Sequence, residues 1–353
     1  MKIIVTGGAG FIGSHVVDGL SERGHAVEVL DNLSSGSRGN VQGGIPLHVA
    51  DIRDASAVDA VFDAVQPDAV CHHAAQVSVR GAVRDPRTDA ETNIGGLLNT
   101  LNAAKRLKCQ LFVFASSGGV LYGDVLHPAD ERSPVIAKSP YAISKWAGEQ
   151  YLAFYAKEHG LSAVSLRYAN VYGPRQSPHG EAGVVAIFCN KLLHDKPAMI
   201  YGDGKCVRDY VYVSDIVRAN VKVFSEWGRC IQRATVTTLN VGTGVGTDVN
   251  AMECALRAAM RRALDEYGLT KVLRLPLYGD ERAGDLRSSV VDASRAFGLL
   301  GWRPEVSLAD GLATTAMSFV CQQASAKKST ISRLDQDWAA LEDNEPCPAP
   351  TTS

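Results

Sequence analysis

Residues 2–13 read KIIVTGGAGFIG, a short apolar run that passes directly into a glycine-rich turn and then into a helical pattern. Gly7, Gly10 and Gly13 have the spacing GxxGxxG. The first glycine permits a tight turn, the second lets the backbone approach a pyrophosphate, and the third lets the helix pack closely on the strand. Because the first N–H groups of the helix are unpaired, they attract phosphate oxygens. This stretch therefore predicts a strand, a dinucleotide-binding turn and a helix.

Beyond the turn, short apolar runs alternate with helix-length patterns over the first 170 residues. The predicted strands are residues 2–6, 26–30, 47–50, 69–72, 111–115 and 163–167. Helices are predicted at residues 13–23, 56–65, 93–106, 184–193 and 250–267. This alternation indicates a mostly parallel sheet covered on both faces. The predicted fold class is α/β, a doubly wound, mostly parallel Rossmann sheet with a smaller, mixed C-terminal substrate domain.

From about residue 170 the pattern becomes irregular and richer in glycine and proline. Such a segment suits a position over the carboxyl ends of the strands, where doubly wound sheets bind ligands. We predict two domains, a cofactor-binding one of residues 1–168 plus about 209–243 and a substrate-binding one of residues 169–208 and 244–322. The polar composition of residues 323–353 predicts a mobile tail with one helical piece near Trp338.

The composition is that of an ordinary globular protein, with 353 residues, 46% hydrophobic and 21% charged, and a formal net charge of −2. With so little net charge, we expect no binding to nucleic acid or to an acidic membrane surface. We also expect neither a secretory signal nor a membrane-spanning segment. Eight cysteines occur without a CxxC pair, which predicts reduced thiols and a cytoplasmic location. His72-His73 lacks a third ligand at useful spacing, so no metal site is predicted.

Asp31 ends the second predicted strand, 18 residues after Gly13. A carboxylate there accepts hydrogen bonds from the adenosine ribose hydroxyls and repels a 2'-phosphate. No arginine follows directly, so NAD is predicted in preference to NADP; a simple turn residue is the alternative interpretation of Asp31. The cofactor contacts predicted in this part of the chain are Gly7, Gly10, Phe11, Ile12, Gly13, Asp31, Asn32, Asp51 and Ile52.

A second motif, SPYAISK, occupies residues 139–145 at the start of a predicted helix. Tyr141 and Lys145 are four residues apart and therefore share one helix face. Lowering a phenol pKa from about 10 to near 7 requires about 4 kcal/mol of preferential stabilisation of the anion. A neighbouring ammonium and a positive nicotinamide ring can supply it. The strand at 111–115 leads into Ser116-Ser117, where a serine can share the substrate proton with the tyrosine.

The chain resembles the extended short-chain dehydrogenase/reductase family, and within it the UDP-sugar 4-epimerases of the UDP-glucose epimerase type. The resemblance covers about residues 1–320 and is carried by TGGAGFIGSH, HHAAQVSVR, FASSGGVLYGD, SPYAISKWAGE, LRYANVYGPRQ, YGDGKCVRDYVYVSDIV and LNVGTG. It implies that Tyr141, beside Lys145, takes the proton of the sugar 4-hydroxyl while hydride moves from C4 to NAD. The 4-keto sugar then turns over and takes the hydride back on its other face. The serine of the family falls on Ser117, with Ser116 as the alternative.

The resemblance also implies further contacts. On the cofactor side these are Ala74, Ala75, Asn93, Tyr141, Lys145 and Tyr168. On the substrate side they are Ser117, Asn170, Val184, Tyr201, Arg208, Arg282 and Asp285, with Ser78, Arg80 and Arg175 predicted to face the hexose. Two amphipathic helices, at residues 93–106 and 141–159, resemble the pair that forms a four-helix dimer interface in this family. We therefore predict a homodimer, with simple packing on the sheet as the alternative role of these helices.

The residues after the serine pair separate this chain from sister activities. Dehydratases and decarboxylases of the family carry acidic residues there, whereas this chain has Gly118-Gly119. A non-catalytic NAD-sensing protein would typically lack the tyrosine–lysine pair. We therefore predict an isomerase, an NAD-dependent 4-epimerase of UDP-glucose/UDP-galactose, of UDP-glucuronate/UDP-galacturonate, or of both. Arg175 suits a uronate carboxylate, Asn170 departs from the uronate epimerase pattern, and Ser289 leaves room for a larger C2 substituent.

Overall fold

A computed structural model describes residues 1–178, 183–282 and 284–342. Within these residues the strands are β1 Lys2–Thr6, β2 Ala26–Asp31, β3 Leu47–Val49, β4 Ala69–His72, β5 Leu111–Ser117, β6 Ser162–Tyr168, β7 Asn170–Tyr172, β8 Met199–Tyr201, β9 Val207–Tyr212, β10 Val236–Val241, β11 Gly246–Asp248, β12 Leu277–Gly279 and β13 Ser288–Ser289. The α-helices are α1 Phe11–Glu22, α2 Ala55–Val65, α3 Val79–Arg84, α4 Pro86–Ala90, α5 Gly96–Arg106, α6 Gly118–Leu121, α7 Pro140–His159, α8 Val184–Leu193, α9 Val213–Glu226, α10 Val249–Glu266, α11 Ser294–Leu300 and α12 Leu308–Glu342.

The central sheet is parallel and has the strand order β3-β2-β1-β4-β5-β6-β10 among the described residues. Its inner strands are buried on both faces, as a parallel sheet between two helix layers requires. The strand order reverses between β1 and β4, whose pairing ends with Thr6 opposite His72. Doubly wound sheets bind their ligands at such a reversal, outside the carboxyl ends of the strands. The predicted Rossmann fold is confirmed.

Helices cover both faces of this sheet. α1 and α9 pack on one face, where Leu20 and Val223 are fully buried. α2, α5 and α7 cover the other face around Phe62 and Leu97. α7 can lie close to β5 because Gly148 has no side chain: a Cβ there would be only 2.7 Å from Cζ of the Phe114 ring. This close packing sets the start of α7 against the end of β5.

A smaller lobe contains the mixed C-terminal domain that the sequence predicts. β9 pairs with β7, β11 and β13, and β8 pairs with β12. α8, α10 and α12 form a separate core that includes Met252, Leu256 and Leu312. The predicted domain boundary at about residue 209 falls inside β9, so residues 209–212 belong to the smaller sheet and not to the Rossmann sheet.

Two elements differ from their predicted bounds. The helix predicted from residue 93 starts as a π-turn, Glu91–Gly95, and becomes α-helical at Gly96. α12 runs without a break from Leu308 to Glu342, so residues 323–342 of the predicted tail are helical throughout and not only near Trp338. Residues 343–353 of the predicted tail lie outside the described residues. None of the helices in the described part of the chain is both long and apolar enough to cross a membrane.

Candidate active site

The glycine-rich turn packs against the loop after β4 so tightly that side chains do not fit. Gly7 has a φ of +68°, and a Cβ there would lie 2.6 Å from the Ala74 nitrogen. A Cβ at Gly13 would lie 2.1 Å from the Gly7 oxygen, so α1 approaches the turn only because that position is glycine. Gly10, the N-cap of α1, has no side chain to occupy the first helical N–H groups. The turn therefore fits the pyrophosphate of a dinucleotide.

Asp31 lies beside this turn at the end of β2 and is buried. Its Oδ2 accepts a hydrogen bond from the Ala9 N–H at 2.9 Å, and its Oδ1 accepts one from the Leu33 N–H at 2.8 Å. The carboxylate thus holds the turn in place and keeps lone pairs for ribose hydroxyls. Because its negative charge would repel a 2'-phosphate, this corner fits NAD better than NADP.

The other predicted adenosine contacts lie at the neighbouring strand ends. The Asn32 amide donates to Asp51 Oδ2 at 3.0 Å, and Arg53 forms an ion pair with the same carboxylate at 2.7 Å. The Arg53 hydrogen bonds hold the pKa of Asp51 far below its usual range. Ile52 is buried under α5, where a Cβ at Gly96 would lie 2.5 Å from its Cδ1. Asn32 and Asp51 therefore form a polar rim, whereas the Ile52 side chain belongs to the core.

Side-chain hydrogen bonds fix the loop that follows β4. Thr6 Oγ1 and His72 Nδ1 are 2.9 Å apart, and the Ala74 N–H donates to the same hydroxyl at 3.3 Å. Asn93, on the π-turn, donates its amide to the Gln76 carbonyl at 2.9 Å and accepts the Gln76 N–H at 2.8 Å. These contacts bring the predicted cofactor residues of this loop and Asn93 to the same edge of the sheet as the glycine turn.

Tyr168, the last residue of β6, is buried below the cleft. Its hydroxyl lies 3.2 Å from His73 Nε2 and accepts a hydrogen bond from the Asn220 amide at 2.8 Å. Burial lowers the pKa of His73 to about 3 and raises the pKa of Tyr168, so both groups are neutral. Tyr168 is therefore a neutral part of the cleft floor.

The described residues contain no cluster of three or more His, Cys, Asp or Glu side chains that could hold a metal ion.

The two serines at the end of β5 meet different positions of α7. The buried Ser116 hydroxyl donates to Glu149 Oε1 at 2.6 Å. The partly exposed Ser117 lies beside Tyr141, and its hydroxyl opposes the rise that burial causes in the pKa of Tyr141. Of the two alternatives, Ser117 is the one beside the tyrosine.

Tyr141 and Lys145 lie on one face of α7, which is capped at its start by Ser139. The Lys145 side chain is buried; its Nζ donates to the Ala115 carbonyl at 2.8 Å and lies 5.8 Å from the centroid of the Tyr141 ring. Burial lowers the pKa of Lys145 to about 8, while neighbouring carboxylates act in the opposite direction. Burial raises the pKa of Tyr141, and the hydrogen bond from the neighbouring serine opposes that rise. The lysine is thus mostly cationic at neutral pH and close to the phenol.

A buried charge network below this pair was not predicted from the sequence. Glu149 and Arg167 are each 4% exposed and form an ion pair at 2.6 Å. Ser116 and Ser165 donate to the same carboxylate at 2.6 and 2.9 Å. The network ties α7 to β5 and β6 directly below the reacting groups. Glu149 continues the four-residue spacing of the tyrosine and the lysine, and this spacing is the sequence signal that would have revealed it.

Asn170, on β7, is the predicted substrate contact with the clearest need for a ligand. Its side-chain nitrogen is buried and has no hydrogen-bond partner among the described residues. A Cβ built at Gly119 would lie 3.7 Å from its Oδ1, so the amide faces the turn that follows Ser117. Buried polar groups are almost always paired, so an unpaired donor at this position suits a bound polar ligand.

The remaining predicted nucleotide contacts lie on the smaller lobe. The guanidinium carbon of Arg282 is 3.1 Å from the centroid of the Tyr201 ring, at the end of β8. Arg208, on β9, donates to two backbone carbonyls at 2.8 and 2.7 Å. The Asp285 N–H donates to the Arg282 carbonyl at 3.3 Å, and Val184 begins α8. Guanidinium groups and an aromatic ring are the side chains that a diphosphate and a base require.

The residues predicted to face the hexose do not all meet that prediction. Ser78 caps α3 through a 2.7 Å hydrogen bond from the Gly81 N–H, and Arg80 follows in the same helix. Arg175 instead points to α1, where its guanidinium lies 2.8 Å from Asp18 Oδ2 and 3.2 Å from Ser14 Oγ. Its backbone has a φ of +64°, and the ion pair fixes the side chain in that direction. The assignment of Arg175 to the hexose is therefore corrected.

Together, the fold and the site define a dinucleotide-dependent enzyme of the Rossmann type with a serine–tyrosine–lysine group. The family model described as the NAD dependent epimerase/dehydratase family matches residues 3–235. The chain belongs to this family, which confirms the family resemblance and the prediction of NAD as the cofactor.

Relatives match nearly the whole chain. It is 42% identical over 324 residues to a UDP-glucose 4-epimerase of Mycolicibacterium smegmatis, with 90% of this chain and 98% of that protein covered. It is 44% identical to the UDP-glucose 4-epimerase of Thermotoga maritima solved with UDP-glucose, with a TM-score of 0.83, covering 92% of this chain and 100% of that one. A Thermus thermophilus UDP-glucose 4-epimerase in complex with NAD is 43% identical, with a TM-score of 0.81 and coverage of 90% and 99%.

Proposed function

We propose that the chain is an NAD-dependent UDP-sugar 4-epimerase that interconverts UDP-glucose and UDP-galactose through a transient 4-keto sugar. The observation that carries this proposal is the convergence of Ser117, Tyr141 and Lys145 where β5 meets the start of α7, with the Lys145 Nζ buried 5.8 Å from the centroid of the Tyr141 ring. The similarity to UDP-glucose 4-epimerases, one solved with UDP-glucose and one with NAD, supports the choice of substrate and cofactor.

The proton moves between the sugar and Tyr141. The phenolate accepts the proton of the sugar 4-hydroxyl, the Ser117 hydroxyl orients that hydroxyl, and the Lys145 cation stabilises the phenolate. The glycine turn and Asp31 would hold NAD, which would supply the hydride acceptor for C4 and the hydride donor for the return step. When the ketone is reduced on its other face, Tyr141 returns the proton to the oxygen at C4. No proton or hydride is gained or lost over the cycle, and the configuration at C4 is inverted. Between the two steps the hexose must turn while the nucleotide stays bound, which is the role we assign to Asn170 and the arginines of the smaller lobe.

Elimination or decarboxylation fits the site less well. A Cβ at Gly118 would lie 2.8 Å from Val291 Cγ1 and 3.1 Å from the Arg167 carbonyl oxygen. An acidic side chain directly after Ser117 is therefore sterically excluded, and the extra proton donor of those reactions is missing from this turn. A non-catalytic NAD sensor is disfavoured because the serine, tyrosine and lysine converge.

Among the sugars, the glucose pair is favoured over the uronate pair. Arg175 was the predicted partner of a C6 carboxylate, and its charge is already compensated by Asp18 at 2.8 Å. Ser289 is buried and donates to the Gly119 carbonyl at 3.1 Å, so it closes the turn and does not contact the solvent.

The proposal is tested by incubating the purified protein separately with UDP-glucose and with UDP-glucuronate, without added cofactor, and resolving the epimers chromatographically. We expect UDP-galactose to form from UDP-glucose, because retained NAD is regenerated in each cycle. Conversion of the uronate alone would contradict the substrate assignment. Conversion of neither by protein that still contains NAD would favour the sensor.

We also infer a homodimer that uses the exposed side of α7. Ile143, Tyr151 and Phe154 are 54%, 37% and 52% exposed and lie along one stripe of this helix. Contiguous apolar patches on a surface mark interaction sites. The stripe faces away from the sheet, next to the helix α5 that the dimer prediction also included.

Light scattering at micromolar concentration is expected to give the mass of two chains. Introducing charge into the stripe with Phe154→Glu should shift the protein to the mass of one chain. Phe297→Glu, at a side chain that is 58% exposed on the distant helix α11, is the matched control and should remain dimeric. A monomeric mass for the unaltered protein would contradict the dimer.

We also infer a cytoplasmic location. Seven cysteines lie in the described residues, all of them free thiols, and three of these are buried. Reduced, buried thiols agree with a reducing compartment.

A further inference from the structure

Asp89, on α4, is a fully buried carboxylate in the wall of the active site that the sequence analysis did not single out. Its Oδ1 accepts hydrogen bonds from the Asn93 amide at 2.9 Å and from the Gln76 amide at 3.3 Å. Its Oδ2 accepts a short hydrogen bond from the Ser144 hydroxyl. Burial raises the pKa of Asp89, while the hydrogen bonds from Ser144 and Asn93 and the charge of Lys145 oppose that rise. Because both oxygens face donors, the surroundings favour the ionised form.

These three donors lie on two different parts of the site. Ser144 directly precedes Lys145 on α7, so its hydrogen bond fixes the turn of helix that carries the tyrosine and the lysine. Asn93 and Gln76 hold the loop after β4, which contacts the glycine turn at Gly7. One carboxylate therefore joins the helix of the proton-transferring groups to the loop on the cofactor side.

We propose that Asp89 is a positioning residue for the epimerase reaction: it holds the Tyr141–Lys145 pair against the loop after β4 and keeps the buried Lys145 ammonium charged. This inference rests on the proposed function for its activity readout, and on geometry for the contact itself. A buried ammonium without a carboxylate nearby would lose its proton readily, and the phenolate would then lose its cation.

The charges around the pair agree with this role. For Tyr141 and for Lys145, burial has the largest effect on the pKa and the charge of Asp89 has the second largest. The charge of Asp89 raises both pKa values. Glu149, on α7 itself, also raises the pKa of Lys145. His72 and His73, on β4, are neutral because burial lowers the pKa of each. α3, which packs on α4 and α7, carries Arg80 and Arg84.

The sign of the effect on the pH profile follows. With NAD bound, the positive nicotinamide ring and the Lys145 ammonium oppose the effect of burial on the pKa of Tyr141. Activity then rises with pH as Tyr141 becomes a phenolate and falls as Lys145 loses its proton. Asp89→Asn removes a negative charge that raises both pKa values, so both limbs of the kcat/KM profile are expected to move to lower pH, by about one unit for a nearby buried charge. Ser144→Ala keeps the charge and removes one hydrogen bond; it should lower kcat without moving the limbs.

Two further measurements complete the test. Tyrosinate absorbance is titrated in NAD-loaded Asp89→Asn and in Asp89→Asn/Tyr141→Phe, and the difference between the two curves gives the ionisation of Tyr141. The same difference between the wild type and Tyr141→Phe is the reference. We expect Tyr141 to ionise at lower pH in the Asp89→Asn background. Asp89→Ala gives the same comparison if the asparagine variant does not fold. The proposal would be overturned if both limbs of the kcat/KM profile and the ionisation of Tyr141 stayed at the pH found for the wild type. If the wild type converts no UDP-sugar, the proposed function fails, while the absorbance titration still decides the role of Asp89.

Discussion

Tyr141→Phe is expected to reduce the interconversion of UDP-glucose and UDP-galactose by about 10²–10⁴-fold, the usual contribution of a positioned general base. The change removes only the hydroxyl beside Ser117 and leaves the ring near Lys145 in place. Bound NAD and the thermal unfolding temperature should therefore stay close to those of the wild type. The measurement is the initial rate of epimer formation together with the NAD content of the purified variant.

Tyr155→Phe, on the same helix, is the matched control. Its hydroxyl donates to Asn102 at 2.7 Å, away from the serine–lysine group, so its loss should leave the rate near that of the wild type. A Tyr141→Phe enzyme that keeps more than a small fraction of the rate would mean that another group takes the proton, and the assignment of the base would be wrong.

Arg167→Met is expected to lower the free energy of unfolding by about 3–5 kcal/mol, because it leaves the buried Glu149 carboxylate without its cation. The two side chains are each 4% exposed, so solvent cannot replace the lost partner. Chemical denaturation of variant and wild type measures the difference.

The double variant Arg167→Met/Glu149→Gln separates charge from packing. It removes both charges, and the amide oxygen at position 149 can still accept the hydroxyls of Ser116 and Ser165. We expect it to recover more than half of the lost stability, because a buried pair of opposite charges contributes little net energy when both partners are replaced. A double variant as unstable as the single one would show that shape, not charge, governs this site.

The sequence predicts those structural features that are determined by residues close together in the chain. The glycine turn, the alternation of strands and helices, and the four-residue spacing of Tyr141 and Lys145 are read from neighbouring residues. The structure shows two side-chain contacts that depend on distant partners instead. Glu149 meets Arg167 across 18 residues, and Asp89 meets Ser144 across 55 residues. The four-residue spacing on α7 indicates Glu149 but not its partner, and no local pattern indicates the contact of Asp89.

Arg175 illustrates a different limit. Its motif, YGPRQ, indicates a loop near the substrate, but the direction of the side chain depends on a φ of +64° and on Asp18, 157 residues earlier. Similarly, the pattern of residues 207–212 indicates a strand without revealing which sheet it joins. The choice between Ser116 and Ser117 required the register of β5 against α7, which periodicity alone does not supply.

The contact between Gly118 and Val291 also bears on how this protein can evolve. The position after Ser117 is where a sister dehydratase would need its acid, and here a single methylene already overlaps a valine on another segment of the chain. A new side chain at that position therefore requires the Val291 side chain or the neighbouring backbone to shift. Any mutational path from this chain to elimination chemistry through position 118 thus passes through a variant in which this packing is disturbed.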